Sequence, residues 1–289
     1  MAEIQVLIEG LAHPEGPAPL DDGSVVFVET RRSRLSQWHP EQGVTTFCDI
    51  GGSPNACATG DDGVYVAQSG GGFGGWEPER PATPSIQFVS WTGEIRSVLT
   101  EVDGQSLRAP NDLCFGPDGR LYFTDPGPHS LTDPVPGYVY GLGPDGSCRV
   151  LEVGPTFPNG VAVTDDGEVV WVETYTRRVM AWAPDGRTRH LATLPEGHLP
   201  DGLAVAADRN LYIASIESGG LDVVSLDGRY VTFLRTGSRP LNCTFLGTGL
   251  LIACDATPEE ERAAGTAEIG RLLLVAADVT GLQLCRGSV

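Results

Sequence analysis

Apolar and polar positions along the chain fall into short blocks, not into helical stripes. Six β-branched or aromatic runs stand out: VVFVE from Val25, VYVAQ from Val64, LYFTD from Leu121, VVWVE from Val169, LYIAS from Leu211 and LLIAC from Leu250. Each is one strand long, and each follows a turn signal. Long windows with apolar residues every three or four positions, the mark of an amphipathic helix, are hard to find.

The runs belong to a larger repeat. Upstream of each lies a Pro (Pro14, Pro54, Pro110, Pro158, Pro200, Pro240) and then a key position: Glu15, Asn55, Asn111, Asn159, Asp201 or Leu241. Eight residues beyond the key position stands Gly23, Gly63, Gly119, Gly167 or Gly249, with Arg209 beside Asn210 taking that place in the fifth copy. These glycines read as turn residues for which a positive φ is cheap. One repeat is therefore strand, tight turn, strand, followed by a less regular pair such as Leu35–Trp38 and Val44–Phe47.

Successive key positions are 40, 56, 48, 42 and 40 residues apart, the length of a four-stranded propeller blade. The expected fold is all-β: a six-bladed β-propeller with four-stranded blades around a central metal-binding channel, occupying residues 1–289 as one domain. The longest interval holds SGGGFGGWEPERPATPS, residues 69–85, read as a loop inserted over the channel mouth. The N-terminal IQVLIE is expected to close the ring by pairing with the C-terminal RLLLVAADV, which removes free sheet edges.

Radial repetition brings equivalent positions from distant parts of the chain to one axial point. Five of the six key positions are Glu, Asn, Asn, Asn and Asp, an oxygen-rich set with no packing reason to crowd a β-fold centre. Pro-Asn-Gly and Pro-Asp-Gly taken singly are ordinary turns, as Pro117-Asp118-Gly119 is. Their fixed offset from a separate turn glycine argues for more. Two facing carboxylates need a positive charge between them, and a hard divalent cation supplies it. The expected ligands are Glu15, Asn111, Asn159 and Asp201. Calcium is the first choice of metal, with magnesium, manganese or zinc as alternatives; zinc is disfavoured because no His or Cys holds a ring position.

Composition narrows the function. With 38 Asp and Glu against 19 Lys and Arg, the net charge of −19 repels phosphate backbones and anionic lipid, so neither nucleic acid nor a membrane is an expected partner. The N-terminus has no signal-peptide pattern and no run is long enough to span a bilayer, so a soluble cytoplasmic protein is expected. Seven cysteines without a C-x-x-C argue against a disulfide framework and are expected to be reduced and mostly buried. The string Gly70-x-Gly72-x-x-Gly75 is not followed by a helix and is not read as a dinucleotide site. His13, His129 and His198 are read as structural, and no G-x-S-x-G or H-E-x-x-H occurs.

The motifs HPEGP, RAPND, GPDGRLYFTDPG, FPNGVAVTDDG and LPDGLAV, in this order over nearly the whole chain, resemble the SMP-30/gluconolactonase/LRE-like family. The resemblance implies a six-bladed propeller that binds calcium or another divalent metal and hydrolyses sugar lactones and related cyclic esters. It assigns the metal to Glu15, Asn111, Asn159 and Asp201, the residues the repeat had selected, and the general-base role to Asp201. Animal gluconolactonases of the family carry a substrate-binding Arg two residues before the first metal Asn. Here that place is Ala109, with Arg108 one step further away. Arg108, Asn55 and the loop residues Phe73 and Trp76 are the expected substrate contacts. A phosphotriester hydrolase using the same metal site and a non-catalytic ligand- or protein-binding propeller are the competing readings. Oligomeric state is left open.

Overall fold

The computed structural model describes residues 3–72, 75–130, 132–277 and 279–289. Six four-stranded antiparallel sheets form the blades of a six-bladed β-propeller, and all but the last are built from consecutive strands. The innermost strands are Pro14–Pro19, Pro54–Thr59, Leu113–Phe115, Pro158–Val163, Pro200–Val205 and Arg239–Leu246. The apolar runs form the second strands, Val25–Glu29, Gly63–Gln68, Leu121–Asp125, Val169–Glu173, Asn210–Ser215 and Gly249–Asp255.

The N-terminal strand Ile4–Leu11 pairs antiparallel with Gly270–Ala276 and becomes the outermost strand of the sixth blade. The ring is thereby closed by the two ends of the chain, as the sequence predicts.

The second strands are continuously apolar because both of their faces are buried between neighbouring blades. Val25 and Phe27 of the first blade pack against Leu251, Ala253 and Leu272 of the sixth, whereas Val26 and Val28 pack against Val64 and Val66 of the second. The two-residue period of a strand thus feeds two different cores. Six such apolar clusters occur among the described residues, one at each junction of adjacent blades.

Two sequence readings need correction. Gly63 and Gly249 do not take a positive φ; they open the second strands of their blades. At Gly63 close approach excludes a side chain, since a Cβ would lie 2.3 Å from the Val89 carbonyl oxygen; at Gly249 it would meet Leu274 Cδ1 at 2.5 Å, and that side chain would have to move. In the fifth blade Arg209 itself adopts φ 64° at the turn. The cysteines are all free thiols, yet only Cys57, Cys243 and Cys254 are buried; the other four are half-buried. No helix among the described residues is long and apolar enough to cross a membrane.

The C-terminal segment 279–289 lies across the end of the channel away from the key positions. Leu282 donates its amide to Val205, Ala207 donates to Thr280, and Asp61 donates to Gly287. Val289 is held by the Tyr65 hydroxyl, and Arg286 pairs with Asp21 at 2.7 Å. The segment bridges the fifth, second and first blades and, through Leu282 and Cys285, forms the floor of an axial cavity of about 120 Å³.

Candidate metal centre

Each key residue enters the axis at the start of an innermost strand, and in five blades the strand ladder slips there. Register shifts fall between Glu15 and Ala18, Pro54 and Ala56, Pro158 and Val161, Pro200 and Leu203, and Pro240 and Asn242. Such bulges re-aim side chains that a regular strand would alternate between its faces. Glycine follows the key residue in three blades because the neighbouring strand passes too close for a side chain. A Cβ on Gly16 would lie 2.4 Å from Ala56 Cα, one on Gly160 2.3 Å from the Asp201 carbonyl oxygen, and one on Gly202 2.1 Å from Asn242 Cγ.

A second layer of polar side chains holds the approach to the ring. The last residue of the second strand accepts hydrogen bonds from backbone amides just ahead of its own blade's key residue. Glu29 takes Ala12 N–H at 3.0 Å, Gln68 takes Ser53 N–H at 2.7 Å, and Asp125 takes both Arg108 and Ala109 N–H at 2.8 Å. Hydroxyls tie one blade to the next: Ser69 donates to the Pro110 carbonyl, Thr124 to Asn159 and Thr174 to Pro200. Buried backbone groups near the axis are thus paired by side chains where the ladder cannot reach them.

Glu15 and Asp201 act on each other electrostatically, and Asn159 bonds Asp201. Glu15, Asn111, Asn159 and Asp201 are all buried. Burial, and after it the charges of Asp201 and Asp112, push the Glu15 carboxyl well above its ordinary range. Asp201 is raised likewise, by burial and then by Asp112, while the Asn159 amide bonds to it and opposes the shift. Asn159 also donates to Thr174 Oγ1 at 3.2 Å, so its amide is oriented from both sides. Asn111 Oδ1 is buried with no hydrogen-bond partner.

Two residues absent from the sequence expectations belong to this cluster. Asp112 lies beneath the ring, where burial raises its carboxyl to about 7 against bonds from the Leu113 and Val161 amides and the Asn242 side chain. Asn242 bonds Glu15 as well. Both follow a key position by one residue, at places where the chain turns consecutive side chains toward the axis.

Among the described residues no group of three or more His, Cys, Asp or Glu is arranged to hold a metal. The axial donors are instead two carboxylates and two amides, which suits a hard cation better than zinc. The nearby thiols of Cys57 and Cys243 are pushed up by burial and by Asp112, so thiolate ligation has no support here. Buried carboxyls that burial disfavours as anions, and an unsatisfied buried amide oxygen at an equivalent ring position, are what a divalent cation relieves.

The expected substrate contacts fare unevenly. Asn55 is half-buried and donates to the Asn111 backbone carbonyl at 3.2 Å, which makes it a brace for a neighbouring ring residue. The Arg108 guanidinium donates to the Pro136 carbonyl at 2.6 Å and lies 5.1 Å from the Tyr138 ring centre, held within its own blade. Trp76 is half-buried, and Phe73 lies outside the described residues. The loop carrying them joins Gln68 to Ser85, and its base is tied to the ring end of the molecule where Gly52 donates to the Arg80 carbonyl.

Residues 13–254 match the model of the SMP-30/Gluconolactonase/LRE-like region. The chain belongs to that family. A gluconolactonase of Zymomonas mobilis is 26% identical to this SMP-30/gluconolactonase-like chain over 283 residues, covering 84% of it and 75% of the relative. A gluconolactonase structure from Xanthomonas campestris superposes with a TM-score of 0.75 at 24% identity, covering 95% of this chain and 89% of that one. The calcium-binding protein regucalcin from Agrobacterium tumefaciens gives 0.76 at 18%, with 96% of each chain covered. These two likenesses establish the propeller fold.

Proposed function

We propose that this family member hydrolyses a lactone, either a sugar lactone or a related cyclic ester, at the axial ring and in dependence on one divalent cation. The observation that carries the proposal is the electrostatic interaction of buried Glu15 with Asp201, together with a buried and unpartnered oxygen on the third ring residue, Asn111, in a chain related to a gluconolactonase. Glu15, Asn111, Asn159 and Asp201 would hold the ion, and calcium suits these oxygens best. When bound, such a cation supplies charge compensation and Lewis-acid polarisation of an ester carbonyl.

Asp201 is assigned as general base. It accepts a proton from water as the water oxygen adds to the carbonyl carbon; the ring C–O bond then breaks, and the proton passes to the departing alkoxide to give a hydroxy acid. Asn159 orients the Asp201 carboxylate, and Asn55 fixes the backbone of Asn111. Seven free thiols support a cytoplasmic setting.

The test is a pH-indicator assay with gluconolactone, other aldonolactones and a phosphotriester, each with and without EDTA. Lactone hydrolysis that EDTA abolishes and added calcium restores is expected, together with its loss in Asp201→Asn. Undiminished lactone turnover in that variant refutes the assignment. Turnover of the phosphotriester alone favours the alternative chemistry.

A further inference from the structure

The mouth of the axial site is not uniform. The residues two places ahead of the key positions are His13, Ser53, Ala109, Phe157, Leu199 and Arg239. Those of the fourth and fifth blades are apolar, and Phe157 stacks on Tyr175 with ring centres 4.7 Å apart. Those of the sixth and first blades are Arg239 and His13, so one sector of the rim is built for polar contacts.

In that sector Arg239 and Asp255 stand directly opposite each other across the first two strands of the sixth blade. Asp255 is 1% exposed, and its Oδ2 meets His13 Nδ1 at 2.6 Å. Arg239 donates through one terminal nitrogen to Glu217 at 3.0 Å. Asp255 Oδ1 and Arg239 Nε are both buried, and neither has a hydrogen-bond partner. They therefore do not bond each other, although they occupy one corner of the molecule. Both side chains act electrostatically on Asp201, so this corner lies within electrostatic reach of the candidate base.

An unmet acceptor on Asp255, which His13, Arg31 and Arg239 all face electrostatically, and an unmet donor on the paired residue Arg239 call for a group that donates and accepts at once. A hydroxyl does both.

We propose that Arg239 and Asp255 form a hydroxyl-recognising subsite beside Asp201. A ring hydroxyl of a polyhydroxylated lactone donates to Asp255 Oδ1 and accepts from Arg239 Nε. The proposal deepens the lactone reading and rests on it for the substrate class. Among lactones it selects those whose rings carry hydroxyls over unsubstituted ones.

The test compares Arg239→Gln, Arg239→Lys and Asp255→Asn with the native chain. Glucono-1,5-lactone is set against δ-valerolactone, which has the same ring without hydroxyls, and the ratio of their kcat/KM values is read. That preference is expected to fall at least tenfold in each variant, Lys included, because Lys keeps the charge but offers no donor at the Nε position. Binding of 1,5-anhydroglucitol, measured by calorimetry against tetrahydropyran, reads the same subsite without turnover and is expected to weaken to a similar degree. An unchanged preference, or its rescue by Lys, overturns the subsite. If the native chain binds anhydroglucitol through these residues yet hydrolyses no lactone, the subsite stands and the lactone reading falls. If it hydrolyses both lactones alike and binds no anhydroglucitol, the lactone reading stands and the subsite falls.

Discussion

Glu29 is the residue whose replacement should most directly loosen the first ring position. Its side chain is fully buried and accepts from Ala12 N–H, Arg32, Ser36 and, twice, Arg34, at 2.6 to 3.0 Å. Burial opposes its ionisation, but Ser36, Arg34, Ala12 and Arg32 together outweigh burial and hold the carboxyl below its ordinary 4.5. Glu29→Gln keeps the shape and leaves two guanidinium groups facing a neutral amide. Removing one partner of a buried ion pair costs about 3–5 kcal/mol. Because Arg32 and Arg34 are 28% and 22% exposed, water recovers part of that cost, and about 3 kcal/mol is expected. At about 2–4 °C per kcal/mol, Tm should fall by about 6–12 °C.

The pH dependence gives the sign. A carboxyl whose folded pKa lies below its unfolded one contributes its full stability above the unfolded value, here 4.5, and loses it as pH falls through the folded value. The gap between native and Glu29→Gln proteins, measured by urea unfolding followed by circular dichroism, should therefore be full at pH 7 and close progressively below pH 4.5. A gap under about 1 kcal/mol at pH 7, or one equally large at pH 3, would show that Glu29 acts through shape and not through charge.

Asp201→Asn should lower lactone turnover by about 10²–10⁴, the usual share of a general base. Because burial and Asp112 raise Asp201, its charge destabilises the metal-free fold as pH rises above 3.8; the EDTA-treated variant should therefore exceed the native protein in stability at pH 7 by about 1–3 kcal/mol and match it at pH 3, as calorimetry can check. Gly202→Ala forces Asn242 aside and should cost about 1–3 kcal/mol in denaturant titrations, with a matching loss of bound metal by elemental analysis. Truncation after residue 279 removes five hydrogen bonds made by backbone groups of the floor segment and should cost about 2.5–7.5 kcal/mol, read as a lower urea midpoint.

The blades and the ring were legible in the sequence because radial repetition stamps the same local chemistry at the same offset six times. Closure by the first strand was legible because apolar runs remained at both ends of the chain. The clamps were printed in the same repeats, as the final letters of VVFVE, VYVAQ and LYFTD, but their backbone partners lie 15 to 17 residues upstream. Nothing local says whether a polar residue ending a strand turns inward or outward. Asp112 and Asn242 were missed because each stands one residue past a key position, and no residue type signals that a second side chain there turns to the axis; at Asn242 the ladder slips between Pro240 and Asn242. The helix Pro258–Ala264 was missed although Thr257 and Glu260 form a capping box, since it is short and buries no side chain. Gly63 and Gly249 misled because a glycine at a point of close approach reads the same as one required by a turn.

The floor segment changes what the acidic cluster means. In a channel open at both ends, water would solvate Glu15, Asp112 and Asp201 and leave them near their ordinary pKa values. Here Leu282 and Cys285 block the far end, and the small axial cavity leaves room for only a few water molecules. The burial that raises all three carboxyls also lowers the local dielectric, and so strengthens the pull of the ring on any cation arriving from the mouth. Instability of the empty site and affinity of the filled one then have one cause. Opening the floor should relax the carboxyls and weaken metal binding together, even though no residue of the floor segment reaches the ring.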